Sequence, residues 1–191
     1  NLGKDVSSIN NLRWTENGVQ TGDGETPYST NGLVAQWNFN ETSGTIAANA
    51  STASCGSTCN GTLAAGFAST TSQDQSAGTG WTANNKRWGA GALMFDGSND
   101  YVTVTDNTTL EPASTFAVGI WFKANALSGT RYLLIQKGTA HDQGVNGYAL
   151  SVATSKLEGY VVTGTNTENV ITGRTTLLPG NWYFAVFTYD G

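Results

Sequence analysis

The chain has 191 residues, with nine Lys and Arg against fourteen Asp and Glu, for a formal net charge of −5. That acidic balance argues against nucleic acid or an anionic membrane surface as partner, since both need a basic patch. Only 12% of residues are charged and Gly numbers 24, and the abundance of Thr, Ser, Asn and Gly over helix formers makes an all-β fold the expectation.

Residues 1–32 hold few apolar side chains and several breakers, including Pro27. They read as an extended leader or linker draped over the domain that begins at residue 33, with Trp14 its candidate anchor. The polar residues 1–20 lack a secretory apolar core, and the chain starts at Asn1, which suggests that it begins inside a longer precursor. No run of about 18 apolar residues occurs, so no membrane-spanning helix is expected.

A domain is expected over residues 33–191. Its first strand is predicted at Leu33–Phe39, with Leu33, Ala35, Trp37 and Phe39 on one face. Residues 40–87 form a long, loop-rich stretch with one short candidate strand at Gly61–Leu63; a segment that long without regular structure is either functional or a tolerated insertion. Within it, Cys55 and Cys59 are the only cysteines. Their spacing suits a small disulfide loop in an oxidising compartment, with free thiols as the alternative.

Trp88–Val104 reads as two strands around a tight turn. Leu93 and Phe95 alternate with Ala92 and Met94, then Val102 and Val104 with Tyr101 and Thr103. The Asp96–Asp100 turn between them lets the two strands pair. Thr115–Lys123 is predicted as a central sandwich strand, Phe116, Val118, Ile120 and Phe122 on one side and Trp121 on the other. Strands at Tyr132–Lys137, Tyr148–Val152, Lys156–Val162 and Trp182–Tyr189 come next, with Val170–Thr172 as a further candidate. Thr154-Ser155 reads as a hairpin turn, 138–147 as a turn-rich loop and Pro179-Gly180 as a turn. Short strands at regular spacing, with no helical apolar stripe, predict an antiparallel β-sandwich or jelly roll.

Several segments in order, L-V-A-Q-W-N-F-N-E-T-S-G-T, C-N-G-T-L, W-G-A-G-A-L-M-F-D-G-S-N-D-Y-V-T-V, F-A-V-G-I-W-F-K-A and L-P-G-N-W-Y-F-A-V-F-T-Y-D-G, resemble a laminin G-like domain of the concanavalin-A-like superfamily over residues 33–191. The resemblance implies a jelly roll of two antiparallel sheets and a mostly non-catalytic module of secreted or cell-surface proteins, binding glycans or proteins, often with calcium at a sandwich edge. Members often carry Asp near the position of Asn49. Similar domains also continue beyond the T-Y-D-G motif, which implies a fragment whose Trp182–Tyr189 strand lacks a neighbour, to be completed by further chain or by a neighbouring chain through strand addition.

Candidate ligand residues are Asp96, Asn99, Asp100 and Tyr101, with His141 and Asp142 in the later loop. Asp96, Asn99 and Asp100 could begin a calcium site, which needs six to eight oxygens; alternatively they only cap their own turn. Tyr101, Trp81, Trp88 and Tyr148 are candidate aromatic platforms for a glycan, or packing residues. Asn40, Asn49, Asn60 and Asn107 head N-x-S/T sequons. No Glu-x-x-x-Glu strand is present, so a glycosidase carboxylate pair is not expected. These features predict a non-catalytic extracellular or cell-surface recognition or adhesion module that binds glycan or protein through edge loops. The alternatives are a structural subunit of a microbial surface layer, pilus or filament, self-associating through leader and open edge, and, more weakly, a carbohydrate-active enzyme.

Overall fold

A computed structural model describes residues 30–52, 55–64, 66–67, 79–87, 89–111, 114–127, 131–138, 147–163 and 167–191. Trp14, Trp88, His141 and Asp142 lie outside them, as do most of the expected leader and of the 138–147 loop. The described strands are β1 (Ile46–Ala47), β2 (Gly61–Leu63), β3 (Gly80–Thr82), β4 (Ala92–Met94), β5 (Val102–Val104), β6 (Phe116–Lys123), β7 (Tyr132–Lys137), β8 (Gly147–Ala153), β9 (Lys156–Thr163), β10 (Thr167–Thr172) and β11 (Trp182–Tyr189). All pairings are antiparallel: β1-β2-β5, β3-β4, β10-β9-β8-β7 and β11-β6. Apart from two short 3-10 turns, regular structure among the described residues is all β, as the Thr-, Val- and aromatic-rich sequence predicts.

Among the described residues, apolar side chains gather in two clusters. Ala47, Leu63, Phe67 and Trp81 are buried, with Trp37, Phe39, Leu93 and Val102 packed on them. Leu127, Val152 and Leu177 form the second, joined by Phe122, Ala124, Leu134, Leu157 and Tyr183. The β6–β11 ribbon lies on β9, where the Phe187 ring fills the space above Gly159. Polar and cation–π contacts tie the two halves together: Lys137 to Asp106 and Glu111, Tyr148 Oη to the Leu110 carbonyl (3.3 Å), and Arg87 over Trp121.

Several expectations change. Leu33–Phe39 is not a strand: only Trp37 bridges, to Asn49. The Gln36 amide donates to the Asn49 side-chain oxygen (2.9 Å) instead of a ladder carbonyl, and Phe39 takes a positive φ of 54° that breaks extended backbone. β1 and β3 arise inside the stretch read as loop. Among the described residues β6 pairs with β11 alone, where the sequence predicts a central strand with two neighbours. Trp182–Tyr189 has that same neighbour along its whole length, so its expected isolation does not hold. In β7 a bulge between Leu133 and Ile135 breaks strict alternation, placing Leu134 in the second cluster and leaving Leu133 exposed.

The disulfide is present, Cys55 to Cys59. It closes a 3-10 turn around which neighbouring segments bond. The Trp37 indole N–H donates to the Cys59 carbonyl (2.9 Å), and Asn49 Nδ2 donates to the Gly56 carbonyl (2.8 Å) and the Ser51 carbonyl (3.3 Å). Asn49 Oδ1 accepts from the Gln36 and Ser51 amides. A carboxylate has no N–H to give those carbonyls, so this site calls for Asn where similar domains often carry Asp.

The β8–β9 hairpin turns at Thr154 and Ser155, both at positive φ (47° and 62°). That geometry is a type I′ turn. Neither residue favours it, and the Leu177 amide pins the turn by donating to the Ser155 carbonyl (2.7 Å).

Candidate functional site

The Asp96–Asp100 turn joins strands that do not pair with each other. β4 pairs with β3 and β5 with β2, so the expected hairpin is replaced by a crossing between two sheets. Local chemistry explains the crossing. The Asp96 amide donates to Asp100 Oδ2 (2.8 Å), the Ser98 amide donates to Asp96 Oδ1 (2.7 Å), and Gly97 supplies a positive φ of 81°. The Ala64 amide then captures the Tyr101 carbonyl (2.9 Å), extending the β2–β5 pairing. Gly66 allows the close approach, since a Cβ there would stand 2.4 Å from the Asn99 carbonyl oxygen.

Two exposed rings flank this self-stapled turn. Tyr101 is 60% exposed and Phe95 48%. Alternation places Phe95 on the buried face of Leu93, but β4 ends at Met94, and the ring instead sits edge-on to buried Phe67 at 5.3 Å. Asp100 Oδ1 is buried with no hydrogen-bond partner. Asp96 and Asn99 are exposed, so they are the turn's carboxylate and amide open to solvent, near the two rings in the chain.

A calcium site at this turn would need donors beyond its own side chains. Two carboxylates and one amide face a demand for six to eight oxygens, and one oxygen of each carboxylate already holds the turn's own amides. Among the described residues no group of three or more His, Cys, Asp or Glu side chains could hold a metal.

The other candidate aromatics are structural. Trp81 is 1% exposed, with its indole N–H donating to the Gly44 carbonyl (2.8 Å), so it is a core residue and offers no platform. Tyr148 packs on Phe116 at 4.8 Å, and burial raises its hydroxyl pKa. Among the sequons, Asn49 donates its Nδ2 to the Ser51 and Gly56 carbonyls, and a glycan on that nitrogen would leave it one N–H for the two. Asn60 Oδ1 accepts from the Asn49 amide (2.8 Å). Asn107 caps a 3-10 turn through the Thr109 amide, and its Nδ2 donates to Thr58 Oγ1 (3.2 Å). Asn40 is exposed, its Oδ1 accepting from the Ala90 amide (3.0 Å).

Sequence reading missed two charged clusters, because their members are distant in the chain. Arg131 pairs with Glu158 (3.1 Å) and lies 5.1 Å over the Tyr160 ring, while the buried Tyr160 hydroxyl donates to Glu158. Burial, reinforced by the Glu158 carboxylate, pushes the Tyr160 hydroxyl up to about 12. Lys137 bridges Asp106 and Glu111 (3.0 Å to the latter). The hydrogen bond and charge of Lys137 hold the Asp106 carboxyl below its usual 3.8, and Lys137 is raised above 10.5, chiefly by its bond to Asp106.

These opposite shifts give the bridge a pH window. A depressed carboxyl adds stability above its unfolded pKa and loses it as pH falls through the folded value; a raised lysine adds stability below its unfolded pKa and loses it as pH rises through the folded one. Lys137→Met is therefore expected to lower the melting temperature at neutral pH. The gap to wild type should narrow as pH falls below the usual Asp value of 3.8 toward the lowered folded one, and again as pH rises past the usual Lys value of 10.5 toward the raised folded one. Thermal melts across pH test this; an unchanged gap at low pH would assign the effect to packing of the lysine stem.

Antiparallel sheets closing around apolar clusters define the class as a β-sandwich. A laminin G family model, described as the concanavalin A-like lectin/glucanases superfamily, matches residues 95–191, just over half of the chain, and the chain belongs to that superfamily. The match opens at Phe95, so the candidate turn and all strands from β5 onward fall within it. Comparison with curated proteins and with solved structures found no match.

Proposed function

We propose that this chain is a non-catalytic recognition module of an extracellular or cell-surface protein, binding glycan or protein at the Phe95–Tyr101 turn. The observation that carries the reading is the turn itself: a backbone held by its own carboxylates, with exposed Phe95 before it and exposed Tyr101 after it in the chain. A sugar ring places its C–H face on an aromatic ring and its hydroxyls on carboxylate or amide oxygens, and a preorganised turn makes both contacts at low entropic cost. The disulfide supports an oxidising setting. The superfamily contains lectins and glucanases alike; the non-catalytic reading rests on the absence of a facing carboxylate pair in the sequence pattern.

A glycan array with and without EDTA tests the reading. Tyr101→Ala and Phe95→Ala are each expected to weaken the bound glycan roughly tenfold while the fold survives. Loss of binding in EDTA would add calcium to the site, with backbone carbonyls completing its shell. A wild type that binds no glycan or protein ligand, or one whose ligand both variants hold as tightly, would refute the turn as the site. Cleavage of a bound polysaccharide would revive the enzyme reading.

A second reading is favoured by β11, whose ladder among the described residues runs to β6 only. A strand from a neighbouring chain on its other side would make the chain a building block of an assembly. Ordered filaments or layers seen by electron microscopy, in the absence of any glycan ligand, would favour it.

A further inference from the structure

We infer that the free edge of β10 joins a second copy of this chain, the two β10 strands pairing antiparallel across a two-fold axis at Ile171; this does not rest on the glycan-recognition reading. β10 ends the β10-β9-β8-β7 sheet and among the described residues pairs with β9 alone. Its register is unbroken from Thr167 to Thr172. Residues 169–174 are exposed, Val170 by 50% and Ile171 by 63%. The other edge of this sheet is guarded. β7 carries a bulge, and the cations Arg131 and Lys137 stand at its two ends, which are devices that keep an edge from pairing. β10 has no bulge, no proline and no cation, and its one charge is Glu168.

The backbone limits the registers open to a copy. The Gly173 amide donates to the Leu157 carbonyl (2.8 Å), continuing the β9 ladder. Bonded positions alternate along an antiparallel pair. Asn169 and Ile171 therefore also turn their backbone groups to β9, while residues 168, 170 and 172 turn theirs outward. A copy bonds only to that outward set. An axis at Ile171 meets the condition: Val170 lies opposite Thr172, Asn169 opposite Gly173 and Glu168 opposite Arg174, each pair occurring twice.

Charge and apolar contact both favour a copy in this register. Arg174 is exposed and, among the described residues, forms no ion pair. The axis at Ile171 gives it a carboxylate on the copy, and gives each Glu168 a guanidinium. Ile171 meets its own counterpart at a non-hydrogen-bonded position, where opposed side chains stand closest. An axis at Val170 would set Glu168 against Thr172 and lose both charge pairs. An extended peptide of another protein could also add to an open edge, but it would have to reproduce a pattern that this strand already carries. The pairing closes at two copies. Residues 168–174 are few beside the roughly 20–30 per side of a standard interface, so the dimer is a weak one.

Sedimentation velocity of the 191-residue chain, taken into the high micromolar range, tests the inference. A reversible monomer–dimer equilibrium is expected. Thr172→Pro removes an outward amide and spares the β9 ladder. Ile171→Lys sets two ammonium groups face to face at the axis. Each should raise the dimer dissociation constant about tenfold or more. Arg174→Glu should weaken the dimer by setting carboxylates opposite each other. Glu168→Lys added to Arg174→Glu should restore it, a rescue that a change in folding alone would not produce. Thermal melts confirm that the variants fold. A wild type that stays monomeric throughout, leaving the edge to another protein's peptide, would overturn the inference. So would folded Thr172→Pro and Ile171→Lys that associate as tightly as wild type, which would move self-association to β11 or another surface. Failure of the charge exchange to restore the dimer would overturn the Ile171 register. Glycan binding at the Phe95–Tyr101 turn should be the same in all these variants, so the two readings fail separately.

Discussion

Trp81→Ala is expected to destabilise the chain by about 3–5 kcal/mol, the usual range for removing a large aromatic from a core. Trp81 is among the largest side chains fully out of solvent and sits in the middle of β3, buried with Ala47, Leu63 and Phe67. Its removal opens a cavity that the short strands around it, two or three residues each, have little packing to close. The indole N–H also holds the Gly44 carbonyl at 2.8 Å, so the truncation frees a backbone acceptor as well. Trp81→Phe separates the terms: the ring remains and the hydrogen bond goes, at about 1 kcal/mol plus the smaller volume. Denaturant titration of both variants measures the pair. A loss below about 1 kcal/mol for Trp81→Ala would show that the β1–β5 cluster does not unfold with the rest.

The second large effect is expected at Gly159. Its φ lies outside the left-handed region, so the backbone accepts a side chain there. The obstacle is Phe187: a Cβ on Gly159 would lie 2.4 Å from Phe187 Cδ2 and 2.8 Å from Cγ. Those are atoms near the root of the ring, which cannot swing aside as a flexible tip would. Gly159→Ala is therefore an overpacking substitution between two sheets, costing about 1–3 kcal/mol. The double mutant Gly159→Ala, Phe187→Leu gives the methyl group room. It should be less destabilised than the sum of the single changes by about 1 kcal/mol. Strict additivity would mean that the ribbon does not press on β9 at this point.

The C-terminal half was the more legible part of the sequence. Its strands are six to eight residues long, enough for alternation to stand out, and Trp182–Tyr189 and Tyr132–Lys137 coincide with their predicted limits. The N-terminal strands have two or three residues each, too few for a period of two to emerge. β1 and β3 were lost in the loop for that reason. Leu33–Phe39 failed in the opposite sense, alternating like a strand while its Gln36 amide bonds to the Asn49 side chain.

The candidate site was half legible. Asp96, Asn99, Asp100 and Tyr101 were visible as a turn cluster, and the carboxylates do hold that turn. Phe95 as an exposed partner of Tyr101 was not visible, because its exposure depends on β4 ending one residue earlier. Nor was the contact of Arg87 with Trp121: the two are far apart in the chain, and only the packing of the β6 region against residues 85–87 brings them together.

By itself the sequence determined the all-β class, the disulfide-sized loop at Cys55 and Cys59, the long C-terminal strands and the Asp96–Asp100 turn. All of these depend on local composition, spacing and backbone preference. Tertiary structure alone decided that β4 and β5 part instead of pairing, that Trp81 is core while Tyr101 is surface, and that β6 and β11 form a ribbon with an exposed aromatic face. Strand partners and burial are set by which distant segments meet, and periodicity along one segment carries no record of that choice.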